Sequence, residues 1–143
     1  CLEVAEHIDQ ENAGNLVENI VRHGDLVLFS AATPGQGGEH HVNEQWYSCW
    51  YDLFKVHGYE AFDWVRPQLV NLPHVACWYK YNVFLFVNEK SRGLLSDGIL
   101  LAECTDGNLN DIAPVLYRIR RYLVRCIPYR IQNRIARFGY SRK

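Results

Sequence analysis

Cys1-Leu2-Glu3-Val4-Ala5-Glu6-His7-Ile8 opens the sequence and decides how the rest reads. Two carboxylates and an imidazole fall within five residues, as Glu-x-x-Glu-His, among apolar Leu2, Val4 and Ile8. A strand that ends at Glu3 or Val4 and turns into a helix leaves all three polar side chains at one strand tip. In open α/β sheets that carboxyl edge is where ligands bind. From Asp9 to His23 the spacing predicts a helix, with Leu16, Val17, Ile20 and Val21 as its apolar stripe and Gly24 as its C-cap. Asp25-Leu-Val-Leu-Phe-Ser-Ala-Ala32 is apolar on both faces, the pattern of a strand covered on both sides, as in a parallel sheet. Strand, helix and strand make a β-α-β unit with a right-handed crossover.

Gly35-Gln-Gly-Gly-Glu-His-His-Val-Asn-Glu44 is a polar, glycine-rich loop. It leads into a helix expected from about Glu44 to His57, with Trp46, Trp50, Leu53 and Phe54 on its apolar face. Tyr59 to Val65 and Trp78 to Val87 read as strands, an antiparallel pair at a sheet edge. Pro67 to Pro73 reads as a connection, and Ser91 to Asn110 has little regular pattern. Pro114 stands in the first turn of a helix whose Val115, Leu116, Ile119, Leu123 and Cys126 keep helical spacing until Pro128. A second short amphipathic segment carries Ile131, Ile135 and Phe138. The order β-α-β-α-β-β plus a helical tail predicts an α/β fold, half of a doubly wound sheet. Residues 1–90 form the body and residues 91–143 an extension.

Apolar residues make up 48% of the chain and charged residues 22%, as in an ordinary globular domain with its own core. No apolar run approaches the roughly 20 residues that span a bilayer, and no signal peptide is visible. The five scattered cysteines include no C-x-x-C pair, which predicts reduced thiols in a cytoplasmic protein. A net charge of −1 hides a split. Residues 1–111 hold all sixteen acidic residues against six Lys/Arg, a balance of −10, whereas residues 112–143 hold nine Lys/Arg and no acid. Arg118, Arg120, Arg121, Arg125, Arg130, Arg134 and Arg137 interleave with apolar residues at helical intervals. Such a tail docks on the acidic body, lies on an anionic membrane surface, or contacts nucleic-acid phosphates.

The succession Glu3-Val-x-Glu-His-Ile8, a helix, Gly24-Asp-Leu-Val-Leu-Phe-Ser30 ending in Thr33-Pro34, then His41-x-Asn-Glu-x-Trp46 before a helix ending Gly58-Tyr59, resembles the C-terminal half of class I S-adenosylmethionine-dependent methyltransferases. The resemblance covers about residues 1–90. It implies a Rossmann-like sheet in which these strands correspond to the fourth to seventh, the last two being the antiparallel edge. The family holds S-adenosyl-L-methionine mainly through a glycine-rich loop after its first strand and an acidic residue ending its second. Both would precede Cys1, so the resemblance implies a truncated domain with its N-terminal half absent. The strand at Cys1–Val4 would then be an open edge suited to homodimer formation.

By position, the resemblance places Leu2, Glu3 and Val4 beside the cofactor. Glu6, His7 and His41 fall beside the acceptor, with either imidazole able to serve as general base. His40, Trp46 and Tyr47 would wall an acceptor pocket. Glu3, Glu6, His7 and His41 also form a mixed N/O donor set suited to Mg²⁺ or Mn²⁺. That set looks like the metal site of small-RNA 3′-terminal 2′-O-methyltransferases, and related ubiquinone-pathway O-methyltransferases carry the same Glu-x-x-Glu-His. The continuation Asn43-Glu44-Gln45-Trp46 is closer to small-molecule members. The expected activity is therefore methyl transfer to a small-molecule hydroxyl or amine. Metal-dependent RNA 2′-O-methylation and a non-catalytic, self-associating fragment stand as alternatives.

Overall fold

Aromatic and β-branched residues in period two give three short strands, and their pairing sets where everything else lies. The computed structural model describes residues 1–140, with side chains described for 1–137. In chain order it contains α1 (Ala13–Val21), β1 (Leu26–Phe29), α2 (Tyr47–Val56), β2 (Tyr59–Phe62), α3 (Arg66–Leu69), α4 (Cys77–Asn82), β3 (Phe84–Asn88), α5 (Glu89–Arg92), α6 (Asp97–Leu100), α7 (Val115–Arg125) and α8 (Tyr129–Tyr140). The architecture is mixed α/β. β3 lies between β1 and β2 and runs antiparallel to both, so the expected antiparallel pairing of the last two strands is present.

Register puts Phe29 opposite Phe84, and Val27 and Ala61 opposite Phe86. These residues share one face, and α1 and α2 cover it through Val17, Trp50 and Phe54. The Phe54 ring stacks on Phe86 at 4.1 Å, and Trp50 tilts against Phe29 at 5.3 Å. Burial of these rings supplies the main driving force for folding.

The N-terminal segment runs parallel beside β1 through one bridge, Leu2 with Ser30. The Glu3 amide donates to the Ser30 carbonyl at 3.0 Å, and the Ser30 amide to the Cys1 carbonyl at 3.0 Å. Glu3 then takes a left-handed conformation (φ 52°), and the chain turns into a 3₁₀ turn at Ala5–His7. Two parallel segments separated by α1 are thus present, as the sequence pattern predicts, although the first is a single bridge long.

Three expectations are corrected. Asp25–Ala32 was expected to be covered on both faces. Val27 and Phe29 are buried, but Leu26 and Leu28 are 46% and 40% exposed, because helices cover only the opposite face of β1. Trp78–Val87 is not one strand: Cys77–Asn82 is helix α4 and pairing starts at Phe84. The carbonyl of Tyr81, which a strand would commit to the ladder, accepts instead from Arg66 Nη1 and the Tyr47 hydroxyl, each at 2.9 Å. Arg66 is fully buried, grips Asp63 through Nε and Nη2 at 2.7 Å each, and stacks over Phe84 at 3.9 Å. Strong β-formers yield to such tertiary partners. Finally, the stretches read as a connection or as having little regular pattern contain α3, α5 and a 3₁₀ turn at Thr105–Gly107, and Ile99–Ala102, which suits a short helix or strand, overlaps the end of the short helix α6. Phe62 also bridges Glu103, which covers the C-terminal end of β2 on its free edge.

The extension docks on the body. Arg121 is buried, donates to Thr33 Oγ1 at 2.7 Å and pairs with Asp111, while Arg120 donates to the Gln36 carbonyl at 2.9 Å. The loop reaches this helix at Gly35, whose φ is +85° and whose absent Cβ would lie 2.0 Å from the Arg121 carbonyl oxygen. The Phe138 side chain, and Arg142 and Lys143, lie outside the described residues. All five cysteines are free. Among the described residues no helix is long and apolar enough to cross a membrane.

Gly35→Ala is expected to destabilise the fold by about 2 kcal/mol or more, since it combines a positive φ with a backbone collision. Urea unfolding measures this. A loss below about 0.5 kcal/mol would mean that α7 does not seat on the loop as described.

Candidate metal centre

The 3₁₀ turn and the glycine-rich loop meet through one carbonyl. The amides of Val42 and Asn43 both donate to the Glu6 carbonyl, at 2.9 and 3.0 Å. This pins His41 opposite Glu6 and His7. One ligand atom from each of Glu6, His7 and His41 lies within 4.8 Å of the others, the spacing of a metal-binding group. The two imidazole rings meet edge to face at 5.0 Å.

Each imidazole is held from behind. His41 Nδ1 lies 2.9 Å from Glu44 Oε1, and His7 Nδ1 lies 3.2 Å from the His40 carbonyl. Both partners only accept, so Nδ1 is the protonated nitrogen in each neutral ring and Nε2 keeps its lone pair. A carboxylate or carbonyl behind the ring is the usual support of a metal-ligating histidine. Glu44 does more than orient His41: its carboxylate also accepts from the Gly35 and Gly37 amides, each at 2.7 Å. Gly38 leaves the room His41 needs, because a Cβ there would lie 2.1 Å from His41 Nε2.

Glu6 is 1% exposed, and neither of its carboxylate oxygens has a hydrogen-bond partner among the described residues. Burial, assisted by the charge of Glu3, raises its pKa from 4.5 to about 7, against weaker opposing pulls from its own backbone amide, from His41 and from the Ala32 amide. A buried carboxylate with no hydrogen-bond partner among the described residues, within 4.8 Å of a ring nitrogen of each imidazole, fits a divalent cation. Two nitrogen donors and one oxygen favour Mn²⁺ or a later transition ion over Mg²⁺, which prefers oxygen.

Glu3 stands apart from this group. Its carboxylate accepts from Gln36 Nε2 at 2.8 Å and from Asn82 Nδ2 at 3.4 Å, and Asn82 Nδ2 also donates to Gln36 Oε1 at 2.8 Å. Glu3 and the metal group both open into a cavity of about 780 Å³. Its other walls include His40, Glu39, Trp78, Tyr79 and, from α8, Ala136. The expected aromatic walls are elsewhere. Trp46 lies under the Arg121 and Arg125 guanidiniums, and Tyr47 is buried with its hydroxyl on the Tyr81 carbonyl. Leu2 and Val4 are exposed and do not line the cavity. Gln36, Glu44, Trp78, Tyr79 and Asn82 were not foreseen. The three-residue step from His41 to Glu44 was the available signal for one of them, since it lets a carboxylate reach back to the ring.

Comparison with known proteins finds no matching family model, no matching curated protein and no matching solved structure.

The raised pKa of Glu6 fixes a pH dependence. Between about 4.5 and about 7 the metal-free folded protein holds a proton that the unfolded chain has released. This contribution to stability is full below pH 4.5 and is lost as pH rises through about 7. Glu6→Gln removes the penalty, so it is expected to stabilise the metal-free protein by about 1–3 kcal/mol at pH 8 and far less at pH 4.5. Urea unfolding at the two pH values reads this, and an equal effect at both would contradict the assignment.

Proposed function

We propose that this chain carries the acceptor side of an S-adenosylmethionine-dependent methyltransferase acting on a small-molecule hydroxyl or amine, with a divalent cation held by Glu6, His7 and His41. The observation that carries the reading is the buried, unpartnered Glu6 carboxylate facing two imidazoles whose Nδ1 atoms are already committed. Its place adds support: the group sits at the tip of a segment parallel to β1, next to a sheet whose last two strands pair antiparallel. A Rossmann-like methyltransferase sheet has these features, and the ordered motifs from Glu3 to Tyr59 agree with them.

When bound, the cofactor supplies an electrophilic methyl group on sulfonium sulfur, and the cation makes an acceptor hydroxyl more acidic. The chain's own residues bind and orient the acceptor. A cavity of about 780 Å³ is in the range of small-molecule sites. Glu3, fixed by Gln36 and Asn82, offers a carboxylate on the cavity wall to a hydroxyl or ammonium group. Trp78 and Tyr79 exclude water from one wall. In the absence of a cation, His7 or His41 can accept the acceptor's proton at Nε2. The preference for a small molecule over RNA rests on the Asn43-Glu44-Gln45-Trp46 continuation and on the size of the cavity.

The reading requires the family's glycine-rich segment upstream of Cys1, so its test uses the gene product that includes whatever precedes Cys1. Calorimetric titration with S-adenosylmethionine is expected to show one site. Glu6→Gln is expected to leave that affinity unchanged and to lower kcat by about 10²-fold or more. Absence of cofactor binding would overturn the proposal. Full activity in chelator would overturn its cation.

A further inference from the structure

Helices α7 and α8 turn one side to the body and leave the other bare. The inner side is well tied. Arg121 reaches Thr33 and Asp111, and Gln132 Nε2 donates to the carbonyls of Val124 and Ile127, at 3.0 and 2.7 Å, which fixes the corner between the helices. Asn133 Oδ1 accepts from the His40 amide at 3.1 Å, and Arg137 Nε reaches Glu39 at 2.9 Å.

The outer side is apolar and basic together. On α7, Leu116, Ile119 and Leu123 recur at i, i+3 and i+7 and are 81%, 50% and 59% exposed. On α8, Ile131 and Ile135 recur one turn apart and are 50% and 59% exposed. Arg118, Arg130 and Arg134 are exposed and make no ion pair among the described residues. No acidic residue occurs between 112 and 143. A soluble surface does not gather this much aliphatic area without a partner.

We infer that α7 and α8 form an interfacial anchor that lies on an anionic lipid bilayer, with the aliphatic stripe in the headgroup boundary and the arginines on acidic headgroups. Charge complementarity selects this occupant. The outer side carries only positive charge, and the body, at −10 over residues 1–111, is repelled by the same bilayer and so is held away from it. Nucleic acid would use the arginines and leave the leucines and isoleucines in water. A second copy seated by two-fold symmetry would bring arginines against arginines. The helices lie flat, since none is long and apolar enough to cross. The anchor adjoins the cavity, because Ala136 lines it from the same helix that carries Ile131 and Ile135.

Flotation of the whole chain with phosphatidylcholine vesicles, with and without phosphatidylserine, tests the inference. Binding is expected to be on the order of tenfold or more tighter with phosphatidylserine. Replacing Leu116, Ile119 and Leu123 together by Ser should weaken it on the order of tenfold or more, and so should replacing Arg118, Arg130 and Arg134 together by Gln. All six side chains are exposed, so both variants should keep the wild-type circular dichroism spectrum. Equal binding to both vesicle types, no binding, or binding unchanged in the serine variant would overturn the inference. So would binding to a duplex oligonucleotide that the serine variant retains in full while vesicles are ignored. A dimer in sedimentation that the serine variant abolishes, without vesicle binding, would assign the face to a second copy instead.

Discussion

One carboxylate holds the site together. Glu44 accepts from the Gly35 and Gly37 amides and from His41 Nδ1, so a single side chain shapes the loop and aims the imidazole. With the loop in that shape, the amides of residues 42 and 43 meet the Glu6 carbonyl, Gln36 meets Glu3 and Asn82, and Gly35 meets α7. Charge-assisted hydrogen bonds in a mostly buried setting are each worth more than neutral ones, and this carboxylate takes three. The hydrophobic core makes the sheet, but this carboxylate makes the cavity.

The second constraint is the cost of Glu6. A buried carboxylate with no hydrogen-bond partner is costly, and a bound cation would offset that cost. Arg66 shows the contrasting case within the same molecule. It is equally buried, but each of its three nitrogens has a partner, on Asp63 or the Tyr81 carbonyl, and its plane stacks on the Phe84 ring. Neither Glu6 carboxylate oxygen has a hydrogen-bond partner among the described residues, and two oriented imidazoles lie beside it, which is why the proposed cation is placed there.

Much of the fold was legible because local pattern and tertiary environment agree. Leu16, Val17, Ile20 and Val21 mark α1, and the alternation from Tyr59 marks β2. The reading failed where a distant partner decides. Nothing local to Trp78–Asn82 tells that Arg66 and Tyr47 will claim the Tyr81 carbonyl, so aromatic residues that suit a strand form α4 instead. Leu26 and Leu28 look like core because apolarity records a demand for cover without saying what supplies it. The site was legible in its acids and imidazoles, because Glu-x-x-Glu-His is compact in sequence and His41 lies in a loop with obvious turn chemistry. Its walls were not. Trp78 and Tyr79 reach the cavity only because α4 is a helix, and Ala136 only because the basic tail folds back along the loop. Separating Glu3 from Glu6 likewise required seeing Gln36 and Asn82 take the first carboxylate.

The central claim is that Glu6, His7 and His41 form one divalent-cation site. Electron spin-echo spectroscopy of Mn²⁺ bound to the chain tests it most directly, because it counts coordinated imidazole nitrogens. The account predicts modulation from two such nitrogens, reduced to one by His7→Ala or by His41→Ala, and a weakened site in Glu6→Gln. Bound Mn²⁺ with no nitrogen modulation, or with modulation unchanged in both histidine variants, would contradict it.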